Sequence, residues 1–298
     1  MGLTPLGAPC QRWYIRRPIR DARKAMAMLK RALLIAVSAL SLSAGAIGAH
    51  AADENDLTRW EAIREALFAN RPIEDGGAIL ALDAPYRAED AAVVPITMRA
   101  GVPQSLEKFI KTVHLIVDNN PSPVAGVFHF SPGNGSATIA TRLRVDEYTH
   151  IRAVAETNDG RLFMASRYVK AAGGCSAPAG KDQELAMARL GKMKLVLPET
   201  VTFGQPVTAQ VLISHPNNSG LQYDQVSGFY IPAHYVQKLA VTYDGVTVFE
   251  VDSDISLSED PSIHFTFVPA KPGRLEVRAV DTKDREYRGG WDVTGGSS

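Results

Sequence analysis

The sequence predicts an all-β protein: two immunoglobulin-like β-sandwich domains in tandem, with one short helix ahead of them. Three observations lead there. Short runs rich in Val, Ile, Thr and aromatic residues succeed one another at close intervals without helices between them. Turn residues separate the runs, among them Asn158-Asp159-Gly160 and Tyr243-Asp244-Gly245. The runs also fall into two series, divided by the small-residue stretch "AAGGCSAPAG" at 171–180.

The chain opens on a leader. From Met28 it reads "MLKRALLIAVSALSLSAGAIGAHAADEN": Lys30 and Arg31 form a positive segment, an apolar small-residue core follows, and Ala49-His50-Ala51 is an A-x-A cleavage site. The core is too short and too rich in Ala, Ser and Gly for a transmembrane anchor. A signal peptide over 1–51, export and a mature N-terminus at Ala52 are expected. Residues 1–27 are basic and without apolar period, which suits an upstream extension or a long basic segment; Arg16-Arg17 is followed by Pro18 and lies far from the apolar core, a poor twin-arginine signal.

"DLTRWEAIREALFANRP" comes next. Leu57, Trp60, Ile63 and Leu67 recur at helical spacing, Asp56 caps the start and Pro72 follows the end. Seven strand-like runs follow: "AILALD", "AVVPITMRA", "KTVHLIVDN", "VAGVFHFSP", "ATIATRLRV", "THIRAVAET" and "LFMASRYVKA". That number of short strands suits one sandwich over 52–172. A linker over 173–191 carries Cys175 and the brief helix "DQELAMARLG", with Asp182 as cap and Gly191 as stop. A second series, "MKLVLP", "PVTAQVLIS", "YVQKLAVTY", "VTVFEVD", "IHFTFVP", "RLEVRAV" and "YRGGWDV", makes the second sandwich over 192–298.

Charge narrows the function classes. Residues 1–51 hold eight of the 32 Lys and Arg and one of the 32 Asp and Glu, leaving 24 basic against 31 acidic residues. An acidic exported protein without a basic stripe is a poor nucleic-acid binder, and nothing in it suits a membrane surface. Of the two cysteines, Cys10 leaves with the leader, so Cys175 has no internal partner in an oxidising compartment. It is buried and inert, pairs with another molecule, or is a free thiol with a task. Gly173, Gly174 and Gly180 give backbone freedom around it, and the expectation is an exposed thiol on a flexible arm. Lys170 and Lys181 are the nearest cations in sequence, so no strong activation of the thiol is expected.

Other chemistry is weakly supported. His215, His234 and His264 lack close ligand spacing and no metal is expected; His264 alternates with the core face of its strand, and His215 and His234 read as turn or domain-contact residues. "SPGNGS" lacks a strand–loop–helix phosphate context, "VDSDISLSED" lacks the glycine and final Glu of a calcium loop, and no nucleophile elbow is present. No cofactor is expected.

The flanks of the cysteine carry a resemblance. "LALDAPYRAEDAAVVPITMRA", "VHLIVDNNPSPVAGVFHF" and the Gly-Gly-Cys that ends this half resemble SoxY, the cysteine-bearing subunit of the bacterial thiosulfate-oxidising carrier. "ISHPNNSGL" and the run from "FYIPAHYVQKLAVTYDG" to "GRLEVRAVD" resemble its partner SoxZ. In order in one chain, they resemble the fused, quinoprotein dehydrogenase-associated SoxYZ-like carriers. The resemblance implies a SoxY-like then a SoxZ-like sandwich docked on one another. It also implies a periplasmic, non-catalytic carrier of sulfur oxidation whose Cys175 is the covalent attachment point for a sulfur-bonded cargo. Its partners would be sulfur-metabolising enzymes or a quinoprotein dehydrogenase system, with a disulfide-linked homodimer through Cys175 a further expectation. Here Ser176-Ala177-Pro178 replace the family's glycines after the cysteine, and the arm is tethered at both ends. A binding or assembly module with an incidental thiol is the alternative; a thiol redox enzyme lacks its C-x-x-C.

Overall fold

The computed structural model describes residues 57–132, 135–178 and 183–295. The expected leader and its cleavage site, Asp56, Gly180, Lys181 and Asp182 lie outside the described residues. No helix among the described residues is long and apolar enough to cross a membrane.

Two sheets carry the fold. In spatial order, the nine-stranded sheet holds β1 (Ile73–Asp75), β8 (Leu162–Val169), β7 (Thr149–Thr157), β4 (Ile110–Val117), β5 (Val124–Phe130), β14 (Val246–Ser253), β13 (Val236–Tyr243), β16 (Gly273–Asp281) and β17 (Glu286–Val293). The six-stranded sheet runs β2 (Leu80–Asp83), β3 (Val94–Ala100), β6 (Ser136–Leu143), β15 (Ser262–Phe267), β10 (Val207–Ile213) and β9 (Met193–Val196). A two-stranded ribbon, β11 (Tyr223–Asp224) with β12 (Phe229–Tyr230), stands apart.

Strand alternation decides which face is buried. In β6, Ala137, Ile139, Thr141 and Leu143 point inward while their neighbours are half-exposed; in β10, Val207, Ala209, Val211 and Ile213 do the same. Turn chemistry sets the registers. Asp244 (φ 48°) and Gly245 (φ 78°) form the two-residue loop joining Tyr243 to Val246, the both-positive conformation that matches strand twist in a hairpin.

The two sandwiches are joined through their sheets. Strand β5 pairs antiparallel with β14, setting Phe128 opposite Val251 and Phe130 opposite Phe249. Strand β6 pairs with β15, setting Ile139 opposite Phe265. Both sheets thus run without a break from the first half into the second, and one apolar cluster holds core residues of both. Left alone, each half would present two edges of unpaired backbone groups. Side chains reinforce the seam: Asn120 Nδ2 donates to Ser256 Oγ at 2.8 Å, Ser122 to Asp254 at 2.6 Å and Ser258 to the Ala92 carbonyl at 2.7 Å.

The N-terminal helix, α1 (residues 57–68), packs on the outer face of the larger sheet. Its buried stripe is Trp60, Ile63 and Phe68, set against Ile116, Val154 and Leu162. Leu57 is 60 % exposed, so the expected stripe is rotated. Trp60 and Ile63 keep their places, Phe68 is buried where Leu67 was expected, and Trp60 stacks under the Arg152 guanidinium at 4.3 Å, while Arg152 is held by Asp118 at 2.8 Å. The second helix, α2 (Gln183–Ala188), is a six-residue piece with mostly exposed side chains.

Candidate functional site

The expectation of an exposed thiol is overturned: Cys175 is fully buried. The chain leaves β8 and runs beside residues 145–146. The Gly173 amide donates to the Asp146 carbonyl at 2.7 Å, the Gly174 amide to the Val145 carbonyl at 2.9 Å, and the Cys175 amide to Asp146 Oδ1 at 3.3 Å. Gly174 is required by close packing. A Cβ there would lie 2.1 Å from the Ala91 carbonyl oxygen and 2.6 Å from that of Val145. Gly173 (φ 77°) faces open space, so it alone of the two serves backbone conformation.

The second half closes over the segment. After β10 the chain forms the polar loop "HPNNSGLQ" (215–222), and Ser219 Oγ donates to the Cys175 carbonyl at 2.5 Å. Gln222 Nε2 donates to the Ala177 carbonyl at 3.0 Å, and its Oε1 accepts the Ser219 amide at 3.1 Å. Two side chains of the second half therefore latch the backbone of the cysteine segment.

Arg144 lies under the latch and is 2 % exposed. Its guanidinium reaches two backbone carbonyls at long range, Gly174 at 3.5 Å and Asn217 at 3.3 Å, while Nε has no partner. Burial lowers its pKa against the raising influence of Cys175, Glu259 and Asp90. Burial pushes the Cys175 thiol up to about 12, Asp146 adds to this and Arg144 opposes it. The closed segment thus holds a neutral, unreactive thiol.

His215 and His234, read from sequence as turn or contact residues, are both buried and meet Asp281 at the end of β16. His234 Nε2 lies 2.7 Å from Asp281 Oδ2 and His215 Nε2 lies 3.5 Å from it. The Tyr287 hydroxyl donates to the same oxygen at 2.7 Å, and the Lys283 and Arg285 amides donate to Oδ1 at 2.8 and 3.0 Å. Burial would raise the Asp281 pKa, but these donors outweigh it and hold it below the carboxylate range. Three potential ligand atoms converge, yet His215 is oriented against a metal. Its Nδ1 accepts the Asn217 amide at 3.1 Å, so in the neutral ring the proton sits on Nε2, the atom a metal would need free. The cluster is better suited to pinning the loop that ends in the latch, because Asn217 also accepts the Val236 amide at 3.1 Å. His264 stands on the exposed face of β15, opposite Ala140 and away from the cluster.

Arg144, Asn217, Ser219, Gln222 and Asp281 were not singled out by sequence. Arg144 sits in a run, Leu143–Val145, where all three residues are buried, so alternation gives no sign of it. The polar loop 215–222 was the available signal, since "HPNNSG" is polar sequence that the fold buries.

Family comparison agrees with this division of the chain. The model for the sulfur oxidation protein SoxY matches residues 64–175, ending on the cysteine, and that for the sulphur oxidation protein SoxZ matches 193–291. Among solved structures, the sulfur carrier protein SoxY of Chlorobium limicola f thiosulfatophilum is similar at 24 % identity, over 39 % of this chain and 94 % of that one, with a TM-score of 0.33. The superoxide reductase (neelaredoxin) of Ignicoccus hospitalis is similar at 18 % identity, over 31 % and 79 %, with a TM-score of 0.29. Comparison with curated proteins gives no match. With one domain of each family in tandem, the chain belongs to the SoxY and SoxZ families of sulfur-oxidation proteins and is a fused SoxYZ-like sulfur carrier.

Proposed function

We propose that the protein works in the periplasm as a carrier that holds a sulfur-bonded cargo covalently on Cys175, presenting it to partner enzymes by releasing the 173–178 segment. The observation that carries this is the position of the cysteine. It is the last residue of the SoxY match and the one cysteine among the described residues, and its segment is held by amide hydrogen bonds to Val145 and Asp146 and by the Ser219 and Gln222 side chains. Release breaks the Ser219 and Gln222 bonds together with the amide hydrogen bonds to Val145 and Asp146, and it withdraws the thiol from the protein interior into solvent, so that its pKa returns toward the ordinary 9.0. Burial between deliveries would shield a labile cargo from solvent. The partners are sulfur-metabolising enzymes or the enzymes of a quinoprotein dehydrogenase system, and a disulfide-linked homodimer through Cys175 requires the released segment.

The burial of the thiol also favours a second reading, a binding or assembly module in which Cys175 is packing. Intact-mass measurement on protein taken from the periplasm separates the two. A sulfur-containing adduct that disappears in Cys175→Ser is the carrier outcome. A thiol unmodified under active metabolism, with Cys175→Ser supporting the host pathway at the wild-type rate, leaves the module.

A further inference from the structure

We infer that the β11–β12 ribbon is the surface through which two copies of the protein pair, meeting ribbon to ribbon about a twofold axis. Neither a cargo nor a disulfide through Cys175 is needed for that contact.

Exposed large hydrophobic side chains gather on the ribbon. Val226 at its tip is 97 % exposed, Phe229 74 %, Tyr230 66 % and Tyr223 50 %, with Leu221 exposed at its base. The register sets Tyr223 opposite Tyr230, their rings edge-on at 5.5 Å, and Asp224 opposite Phe229. Apolar side chains therefore occupy both faces, and a patch of this kind marks an interaction site. Its shape is held in advance. Asp224 Oδ1 accepts the Val226 amide at 2.9 Å, its Oδ2 accepts the Ser227 hydroxyl at 2.8 Å, and its carbonyl accepts the Gly228 amide at 2.9 Å. At the base the Ile231 amide donates to the Gln222 carbonyl at 2.8 Å. A ribbon already ordered pays little to bind.

Charge and edges select a second copy as the occupant. Residues 52–298 hold 31 acidic against 24 basic residues, yet 221–233 hold one charged residue, Asp224, whose carboxylate is engaged in its own turn. Two acidic molecules meet there without the repulsion that other faces would impose, and a basic partner finds no matching charge to steer it. Strands β11 and β12 pair only with each other, so each has an outer edge without a neighbouring strand, and no Lys guards either edge. A two-stranded ribbon is marginal alone and gains from added strands. Its own image across a twofold axis supplies them, with every contact made twice. At about 150–250 Å² per ring, the exposed parts of Tyr223, Phe229 and Tyr230 offer roughly 300–450 Å² per copy. That is about half of the ~800 Å² each partner brings to a standard interface, which suits a weak, reversible dimer.

The test is sedimentation velocity of the purified protein over a series reaching millimolar concentration, in reductant so that no disulfide contributes. The wild type should pass from monomer to dimer with micromolar or weaker affinity. Phe229→Lys combined with Tyr230→Lys should raise the dimer Kd at least about 30-fold, as the loss of aromatic anchors on both copies does. Its melting temperature should stay at the wild-type value, because both side chains are exposed. Amide exchange at 223–230 of the wild type should also slow as concentration rises, a reading that needs no variant to fold. A wild type that is monomeric throughout the series would overturn the inference and leave the ribbon to a different protein. A dimer of unchanged affinity in the folded double variant would overturn it as well, as would ribbon amides that exchange equally at every concentration.

Discussion

Cys175 behaves as a core residue while the segment is closed, and that changes what its substitution should do. A serine on an exposed arm would cost under about 0.5 kcal/mol. A hydroxyl in this buried place is expected to cost roughly 1–2 kcal/mol, read from the denaturant midpoint, while carrier function is lost entirely. Thiol reactivity tests the latch. The closed segment holds its proton up to about 12 and the open one up to about 9, so closure is independent of pH below 9 and weakens as pH rises from 9 toward 12. Alkylation of the wild type should therefore titrate above the ordinary cysteine range. In the double variant Ser219→Ala/Gln222→Ala it should shift toward that range, with labelling at pH 8 rising roughly 10- to 30-fold for two lost hydrogen bonds. An unchanged rate would show that the latch does not hold the segment. The sequence singled out Cys175 and read its glycines as backbone freedom for a flexible arm. It did not show that Gly174 is there because two carbonyls approach its α-carbon, since a glycine required by contact and a glycine giving freedom are the same letter.

At the scale of elements, the His215–His234–Asp281 cluster ties the loops after β10 and before β13 to the end of β16, with Tyr287 of β17 as a fourth strut. Burial, with His234 adding to it, lowers the His215 pKa to about 4 from 6.5. A buried neutral histidine contributes stability above 6.5. As pH falls below that the unfolded chain takes the proton first, so stability declines down to about 4, by roughly 3 kcal/mol in all. The melting temperature should therefore drop by about 5–10 °C between pH 7 and 4.5. His215→Asn should flatten that slope, since an amide oxygen can replace Nδ1 as acceptor for the Asn217 amide without titrating. An equal slope in the variant would assign the acid sensitivity elsewhere. The long strands were legible because alternation and turn residues bound them, β7 to the residue. The three-residue β1 and two-residue β11 and β12 were not, because segments that short carry no period. The buried histidines were legible as residues, but their meeting at Asp281 depends on contacts 47 and 66 residues apart in the chain, which spacing does not reveal.

For the whole molecule, the consequence of the seam is that neither half is complete. The sequence shows two strand series and suggests two sandwiches with a joint. It does not show that β5 and β6 find their neighbours in β14 and β15, because edge pairing leaves the alternation of each strand as it would be at a free edge. Phe128 and Phe265 lie fully buried on seam strands, inside the one cluster that spans both halves. Unfolding should therefore be a single cooperative transition, with calorimetric and van't Hoff enthalpies equal. Phe128→Ala should lower the stability of the whole by about 3–5 kcal/mol without splitting that transition. Separate expression of residues 57–178 and 192–295 should give two chains that aggregate or stay partly unfolded alone, and that recover a soluble one-to-one complex when mixed, because each supplies the edges the other lacks. Two resolved transitions, or two well-folded monomeric fragments with no affinity for each other, would show the shared sheets to be incidental. The latch argues for the same outcome from another direction. Ser219 and Gln222 belong to one half and Cys175 to the other, so in the isolated first half the cysteine segment would keep its amide hydrogen bonds to Val145 and Asp146 but lose both side-chain donors, and its thiol would alkylate faster than in the whole protein.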